Sequence, residues 1–133
     1  MEVAEKQRFS KNEHICSKKD IDKLFSDGSS FLVYPLKVIY LPVSEGIAAD
    51  SCMAVLISVP KKRIKRAVHR NRTKRLIREA FRLHKNEWTP SFLQKRLSLH
   101  IALMYISNEI VAYTDVEKAM LKAFKIIDRT TDA

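Results

Sequence analysis

A cationic segment between residues 61 and 85 contains the side chains that point most clearly to a chemical role. It holds twelve of the chain's 25 lysines and arginines but only one of its 15 acidic residues, Glu79. The rest of the chain carries thirteen basic and fourteen acidic residues, so the net charge of +10 arises from this segment. Charge concentrated in this way is typical of proteins that bind polyanions. A solvated face that only keeps the protein soluble is the alternative, but solubility does not require concentrated charge.

The stretch VHRNRTKRLIREAFR, residues 68–82, predicts a helix from about Val68 to His84. One arc of this helix is apolar and should pack on a sheet: Leu76, Ile77, Ala80, Phe81 and Leu83. The opposite arc presents a cationic ridge, in which Glu79 can pair with Arg75 or Arg82. The first turn of a helix attracts anions through its unpaired N–H groups, so cations there are unfavourable unless an anion such as phosphate binds. The helix is therefore predicted to bind phosphates.

The elements around this helix are predicted from hydrophobic period and from capping residues. Residues 17–28 form a helix that Ser17 caps with Asp20 and that Gly28 ends, and residues 114–127 form another, with Thr114 and Glu117 as a capping box. Strands are predicted at 31–43, 52–59 and 100–107, and NEWTPS, with Pro90 at its centre, breaks the pattern.

These elements follow one another as α-β-β-α-β-α, which predicts an α/β (α+β) sandwich with a small mixed sheet packed by helices. We expect one domain over residues 1–133, with a flexible segment at 1–12 and a tail at 129–133. Trp88 and Tyr113 are expected to act as packing anchors. The sequence shows neither a hydrophobic signal region nor a run long enough to span a membrane, so we expect a cytoplasmic protein.

Other chemistry finds little support in the sequence. The histidines are scattered without metal-ligand spacing, at His14, His69, His84 and His100, and each is interpreted as a surface or core residue. Cys16 and Cys52 are interpreted as buried thiols. The acids form no cluster suited to two-metal hydrolysis, so the chain is not expected to be a self-sufficient nuclease, and no metal site is predicted.

The residues SVPKKRIKRAVHRNRTKRLIREAFR resemble the arginine–asparagine–arginine motif region of bacterial ribonuclease P protein subunits. The family pattern is matched by seven short groups: Ser58-Val59, Lys61-Lys62, Ala67-Val68, Arg70-Asn71-Arg72, Lys74-Arg75, Arg78-Glu79 and Phe81-Arg82. The stretch SKKDIDKLFSDGSSF, residues 17–31, also fits, so the resemblance spans most of the chain.

The resemblance implies an accessory protein of an endoribonuclease whose catalyst is a large RNA. That enzyme removes the 5′ leader of precursor tRNA with Mg²⁺, which the RNA and substrate mainly hold. We expect no obligate protein partner. It also implies a left-handed β-α-β crossover, an exception to the usual rule. The residues implied to bind the catalytic RNA, called here the basic surface, are Lys61, Lys62, Arg63, Lys65, Arg66, Arg70, Asn71, Arg72, Lys74, Arg75, Arg78 and Arg82. A cleft implied to hold the single-stranded leader is lined by Ile21, Phe25, Lys37 and Ile39.

The sequence departs from the family pattern at three places. Pro60 and the run at 63–66 stand where the family commonly has Ser and a loop glycine. Ile21 stands where an aromatic residue is common. The third predicted strand ends in Ser107-Asn108, and in the family a basic residue often follows at this point. Phe25 has two interpretations, as a core residue or as part of the cleft.

Two other functions are compatible with the same charge pattern. One is a general or ribosomal-type RNA-binding protein, which would bind RNA without preferring an attached leader. The other is a DNA-binding regulator with its helix in a major groove, although a ridge made almost entirely of Arg and Lys suits phosphate contact better than base reading.

Overall fold

The computed structural model describes residues 18–43, 53–94 and 98–130. The elements in these ranges are α1 (Lys18–Asp27), β1 (Ser29–Val33), β2 (Leu36–Val43), β3 (Met53–Ser58), α2 (Ala67–Gln94), β4 (Ser98–Tyr105) and α3 (Tyr113–Thr130). The predicted α+β class with a small mixed sheet is confirmed. The flexible segment at 1–12, the Ser17 cap, His14 and both cysteines lie outside the described residues.

The strands pair in the order β1-β2-β4-β3. The β1–β2 and β2–β4 pairs are antiparallel, and the β3–β4 pair is parallel. Helix α2 is the crossover that joins the two parallel strands, and its implied left hand stays a prediction. None of the described helices is long and apolar enough to cross a membrane.

The two faces of the sheet carry different helices. Helix α2 lies against β3 and β4, and α3 lies against β1 and β2. The two helices cover the larger of two hydrophobic clusters, called here the main core, which includes Val55, Phe81 and Phe124. Helix α1 packs on the opposite face, where Leu24 lies against Ile39, Ala54 and Ala102. Alternate residues of each strand therefore face either the main core or α1.

The strand predicted over 31–43 is a hairpin, and the prediction of one strand was wrong. Tyr34 and Pro35 form the turn, joined by a cis peptide bond, and β1 folds back so that Leu32 lies opposite Lys37 and Val33 opposite Leu36. Both arms are rich in β-formers, so composition did not separate them. The turn keeps Pro35, which has no N–H to donate, out of the ladder of paired strands.

Helix α2 continues to Gln94, so the predicted break at NEWTPS was also wrong. Pro90 lies inside the helix, where it removes a backbone hydrogen bond at a cost of about 3 kcal/mol. Tertiary packing offsets that cost, because Phe92 is fully buried, Trp88 stacks on Phe124 at 6.2 Å, and Ser91 donates a 2.7 Å hydrogen bond to Asp128.

The C-terminal helix differs from its prediction at both ends. It begins at Tyr113, and the carboxylate of Glu117 pairs with His84 at 2.7 Å across the helix interface. It runs through Thr130, two residues into the segment predicted as a tail, and there the Thr130 hydroxyl shares a 2.8 Å hydrogen bond with Tyr40. Trp88 and Tyr113 both pack against the main core, as predicted.

Candidate nucleic-acid interface

The loop that precedes α2 has a defined turn at its start. The carbonyl oxygen of Pro60 accepts hydrogen bonds from the N–H groups of Arg63 at 3.0 Å and Ile64 at 3.2 Å. Ile64 is 6% exposed and belongs to the main core. Because the loop is fixed by this turn and by the buried Ile64, its cations extend outward, and Lys61, Lys62, Lys65 and Arg66 are exposed. Pro60, a departure from the family pattern, is thus the residue that accepts both bonds of the turn.

Arg70 connects the helix to this loop. Its Nη1 atom donates hydrogen bonds to the carbonyl oxygens of Lys65 at 2.7 Å and Ile64 at 3.1 Å. The N–H groups of His69 and Arg70 bond in turn to the carbonyl of Arg66, at 3.1 and 3.0 Å. Two carbonyl dipoles therefore stabilise a guanidinium in the helix's first turn, where the helix dipole opposes it. Sequence reasoning placed Arg70 among the RNA contacts and missed this bracing role, because the acceptors are backbone atoms.

The outward side of α2 presents the predicted cationic ridge. Asn71, Arg72, Arg75 and Arg78 are exposed, and Lys74 and Arg82 are half-buried. Arg82 is the partner of Glu79, with Nε 2.9 Å from Oε1, so part of its charge is neutralised within the helix. Arg72, Arg75 and Arg78 are therefore the cations of α2 best placed to meet a polyanion.

The packed side of α2 agrees with its prediction at four positions of five. Ile77, Ala80 and Phe81 are fully buried and Leu76 packs against the core, but Leu83 is 38% exposed, so its placement in the packed arc was wrong. Lys85, counted in the cationic segment, is 5% exposed and does not contribute to the basic surface. Leu83 lies at the margin of the apolar arc of α2, where the side chain is only partly covered by the core.

Arg63 extends the basic surface toward the connection between β4 and α3. Its Nη1 atom lies 3.4 Å from the Oδ1 atom of Asn108 and donates to it. The loop after β3 and the loop after β4 are thereby joined at one end of the sheet. Asn108 stands where the family often has a basic residue, and here it holds a cation instead of supplying one.

The four predicted cleft residues all lie on the face of the sheet that carries α1. Ile39 is buried beneath Leu24 of that helix, and Ile21 packs against the same cluster. Lys37 is half-buried, and Phe25 is 43% exposed. Phe25 is thus available to a ligand, whereas Ile39 forms part of the packing that holds α1 in place.

Two side chains on this face were missed by sequence reasoning, one from the hairpin and one from β4. The strand pairing forms one row of neighbouring residues across the sheet. In the order β1, β2, β4 and β3, the row consists of Leu32, Lys37, Met104 and Ser58. Leu32 is strongly exposed, and Met104 is partly buried. A single strand over 31–43 would put Leu32 and Lys37 on opposite faces, because side chains alternate. The hairpin brings them together, so only the turn at residues 34–35 could have revealed the pair.

Gly28 allows α1 to approach the sheet closely. Its N–H donates to the carbonyl of Leu24 at 2.9 Å, and a Cβ at this position would lie 2.4 Å from that oxygen and 2.9 Å from Ile39 Cγ2. Any side chain here would therefore force the end of α1 away from β2.

Two of the described histidines, His84 and His100, are largely covered by neighbouring residues. His84 bridges α2 and α3, with Nε2 2.7 Å from Glu117 Oε2 and Nδ1 3.2 Å from Glu87 Oε1. Burial lowers the pKa of His84, but the hydrogen bonds and charges of the two carboxylates outweigh burial and raise it. His100 is buried on the α1 face, where burial lowers its pKa. Within residues 18–43, 53–94 and 98–130, no group of three or more His, Cys, Asp or Glu side chains is placed to hold a metal.

Comparisons with known proteins agree on one family. The sequence model of that family, described as Ribonuclease P, matches residues 9–128. The ribonuclease P protein component of Porphyromonas gingivalis is 44% identical over 115 residues, which cover 86% of this chain and 82% of that protein. A solved structure of the Staphylococcus aureus RNase P protein superposes with a TM-score of 0.68 at 23% identity, over 86% of this chain and 94% of that one. The Thermotoga maritima RNase P protein gives 0.66 at 21% identity, over 86% and 96%.

Proposed function

Because the chain belongs to the ribonuclease P protein family, and is therefore part of an RNA-containing endoribonuclease, we propose that it assists removal of the 5′ leader from precursor tRNA. In this proposal the RNA subunit is the catalyst, and Mg²⁺ is held mainly by that RNA and by the substrate. The protein contributes two surfaces, one for the catalytic RNA and one for the leader.

The observation that carries the proposal is the shape of the basic surface. The Pro60 turn, the buried Ile64 and the Arg70 brace hold the loop in one arrangement beside the first turns of α2. The exposed cations of loop and helix then follow one another without an intervening acid, since Glu79 is occupied by Arg82. A preorganised row of cations binds phosphates with less loss of conformational freedom than a flexible loop would.

The face of the sheet beside α1 is the proposed site for the leader. Exposed Phe25 offers a ring on which a base can stack, worth about 1–3 kcal/mol. Lys37, in the row that ends at Ser58, offers a positive charge to the phosphate backbone of the leader. Ser58 is the last residue of β3, and the basic loop follows it directly. A single-stranded RNA that crosses this row of residues would therefore run from the leader site to the basic surface.

The experiment that tests the proposal is cleavage of precursor tRNA by the organism's own ribonuclease P RNA at low Mg²⁺, with and without the protein. We expect the protein to rescue cleavage at the correct 5′ position. The variants Arg70→Ala, Arg72→Ala and their double should weaken assembly or slow cleavage. Lys122→Ala removes an exposed cation of α3, outside the basic surface, and is the matched control.

The substrate distinguishes this proposal from general RNA binding. Precursor tRNA should bind the holoenzyme more tightly than tRNA from which the leader has been removed. If the protein restores no cleavage, binds both RNAs equally, and the double variant behaves like Lys122→Ala, the proposed function is wrong and a general RNA-binding role is favoured.

A further inference from the structure

Tyr34 is a strongly exposed aromatic residue that neither proposed surface includes. It lies in the turn between β1 and β2, and 66% of it is exposed. Exposed aromatic side chains are common and normally need no explanation. This one is unusual because its tip is held in place, as its hydroxyl shares a 2.7 Å hydrogen bond with the Ser107 hydroxyl.

Ser107 is itself a fixed support. It is 2% exposed, its Oγ atom accepts a hydrogen bond from the N–H of Glu109 at 3.1 Å, and it lies 3.3 Å from the carbonyl oxygen of the same residue. The hydroxyl of Tyr105 donates to that carbonyl as well. The hydroxyl of Tyr34 is therefore anchored to buried Ser107, while most of the Tyr34 residue stays exposed to solvent.

The next residue of the same loop anchors a cation of the basic surface. Asn108 accepts the hydrogen bond from Arg63, and Ser107 holds Tyr34, so consecutive residues position a guanidinium and an aromatic ring. The turn at residues 34–35, the loop after β3 and the loop after β4 all lie at the same end of the sheet, so both anchored side chains belong to that end. Glu109 is the one acid in this loop, and Arg63 is the cation that the loop holds.

We infer that Tyr34 is a stacking platform for a base of single-stranded RNA whose phosphate is bound by Arg63. The inference rests on the proposed RNA-binding role of the basic surface and adds a base contact at the end of the sheet, away from Phe25 and α1. Stacking on an aromatic ring tolerates any base, because every base has a π-face. The platform would therefore hold a strand in place without selecting its sequence.

Two RNA probes of equal length and charge separate stacking from phosphate contact. One is a single-stranded oligouridylate, and the other is the same backbone without bases. Tyr34→Ala in the full chain should weaken binding of the oligouridylate by roughly 5- to 150-fold, the range that corresponds to one lost stack. Binding of the abasic strand should stay unchanged, and Leu83→Ala, which removes an exposed apolar side chain elsewhere, should affect neither probe.

Tyr34→Phe keeps the ring and removes its anchor, so its affinity for the oligouridylate should lie between those of the parent and of Tyr34→Ala. A direct measurement on the unaltered chain is photo-cross-linking with 5-iodouridine, mapped by mass spectrometry, which should modify Tyr34. Equal losses for both probes, or a cross-link that maps only to other residues, would overturn the platform. A salt-independent affinity of the unaltered chain for both probes would overturn the basic surface as well, whereas normal salt dependence with no effect at Tyr34 removes the platform alone.

Discussion

Replacing Arg70 should disturb RNA binding through the loop that this residue braces. Arg70→Ala removes the two hydrogen bonds to the carbonyls of residues 64 and 65, and Arg70→Lys removes them while keeping the charge. A lysine ammonium is a point charge on a flexible stem and does not reproduce the planar guanidinium. We therefore expect the lysine variant to behave like the alanine variant.

The magnitude follows from the two bonds. Hydrogen bonds that involve a charged group contribute about 1.5–3 kcal/mol each when buried, and Arg70 is only half-buried. The lower end of that range gives roughly 2 to 3 kcal/mol for the pair. A change of this size reduces the ratio of ordered to disordered loop by roughly 30- to 150-fold, and affinity for the RNA falls to the extent that binding requires the ordered loop.

Two measurements separate bracing from direct phosphate contact. Tryptic cleavage after Lys61, Lys62 and Lys65 in the free protein should accelerate in both Arg70 variants, since it reports loop order without RNA. Affinity for the catalytic RNA is then measured against salt, where each lost phosphate contact reduces the log–log slope by roughly 0.7 to 0.9. Arg72, which is exposed, supplies the comparison: Arg72→Lys should bind nearly as the parent does, and Arg72→Ala should show the reduced slope.

One result would refute this reasoning. If Arg70→Lys resists trypsin and binds RNA as the parent does, while Arg70→Ala fails to bind, then the charge of Arg70 matters and its hydrogen bonds to the loop do not.

The remaining predictions concern α1 and the helix interface. Gly28→Ala should lower the free energy of unfolding in urea by about 1–3 kcal/mol, because the new methyl group would lie 2.4 Å from the carbonyl oxygen of Leu24. Phe25→Ala should reduce affinity for precursor tRNA but not for leaderless tRNA, and should change the free energy of unfolding by less than about 1 kcal/mol, since the ring is 43% exposed. His84→Gln should be less stable than the parent at acidic pH. The folded-state pKa of His84 is raised above the ordinary 6.5, so the stability that its protonation contributes is complete below pH 6.5 and is lost as the pH rises through the raised pKa.

Each of these predictions has its own control. Ser30→Ala alters a nearby exposed strand residue and should leave urea unfolding nearly unchanged, which isolates the clash at Gly28. Equal losses on the two tRNAs would show that Phe25 acts on folding or assembly instead of on the leader. A stability difference between the parent and His84→Gln that stays constant from acidic to alkaline pH would show that packing, not ionisation, is the contribution of this residue.

The cationic ridge and most element positions could be predicted because they depend on local periodicity. Charges and apolar residues of α2 alternate with the helical period, and the period is a property of neighbouring residues. The apolar runs of β3 and β4 are similarly local, and the structure places these strands within two residues of their predicted bounds. The family resemblance rests on such spacing too, which is why it identified the correct family.

Features that depend on contacts distant in sequence could not be predicted in this way. Pro90 continues a helix because Phe92 is buried and Ser91 bonds to Asp128, a partner 37 residues away. Leu32 joins Lys37 on the α1 face only because the chain reverses between them.

The sequence by itself determined that this protein carries a concentrated cationic segment on a loop and an amphipathic helix, because composition and period are written along the chain. The tertiary structure decided which of those cations are free to bind. Arg70 is directed to backbone carbonyls of the loop, Arg82 is paired with Glu79, and Lys85 is buried. The physical reason is that a cation's availability depends on the acceptors and the solvent that folding brings to it, and a helical period does not specify either.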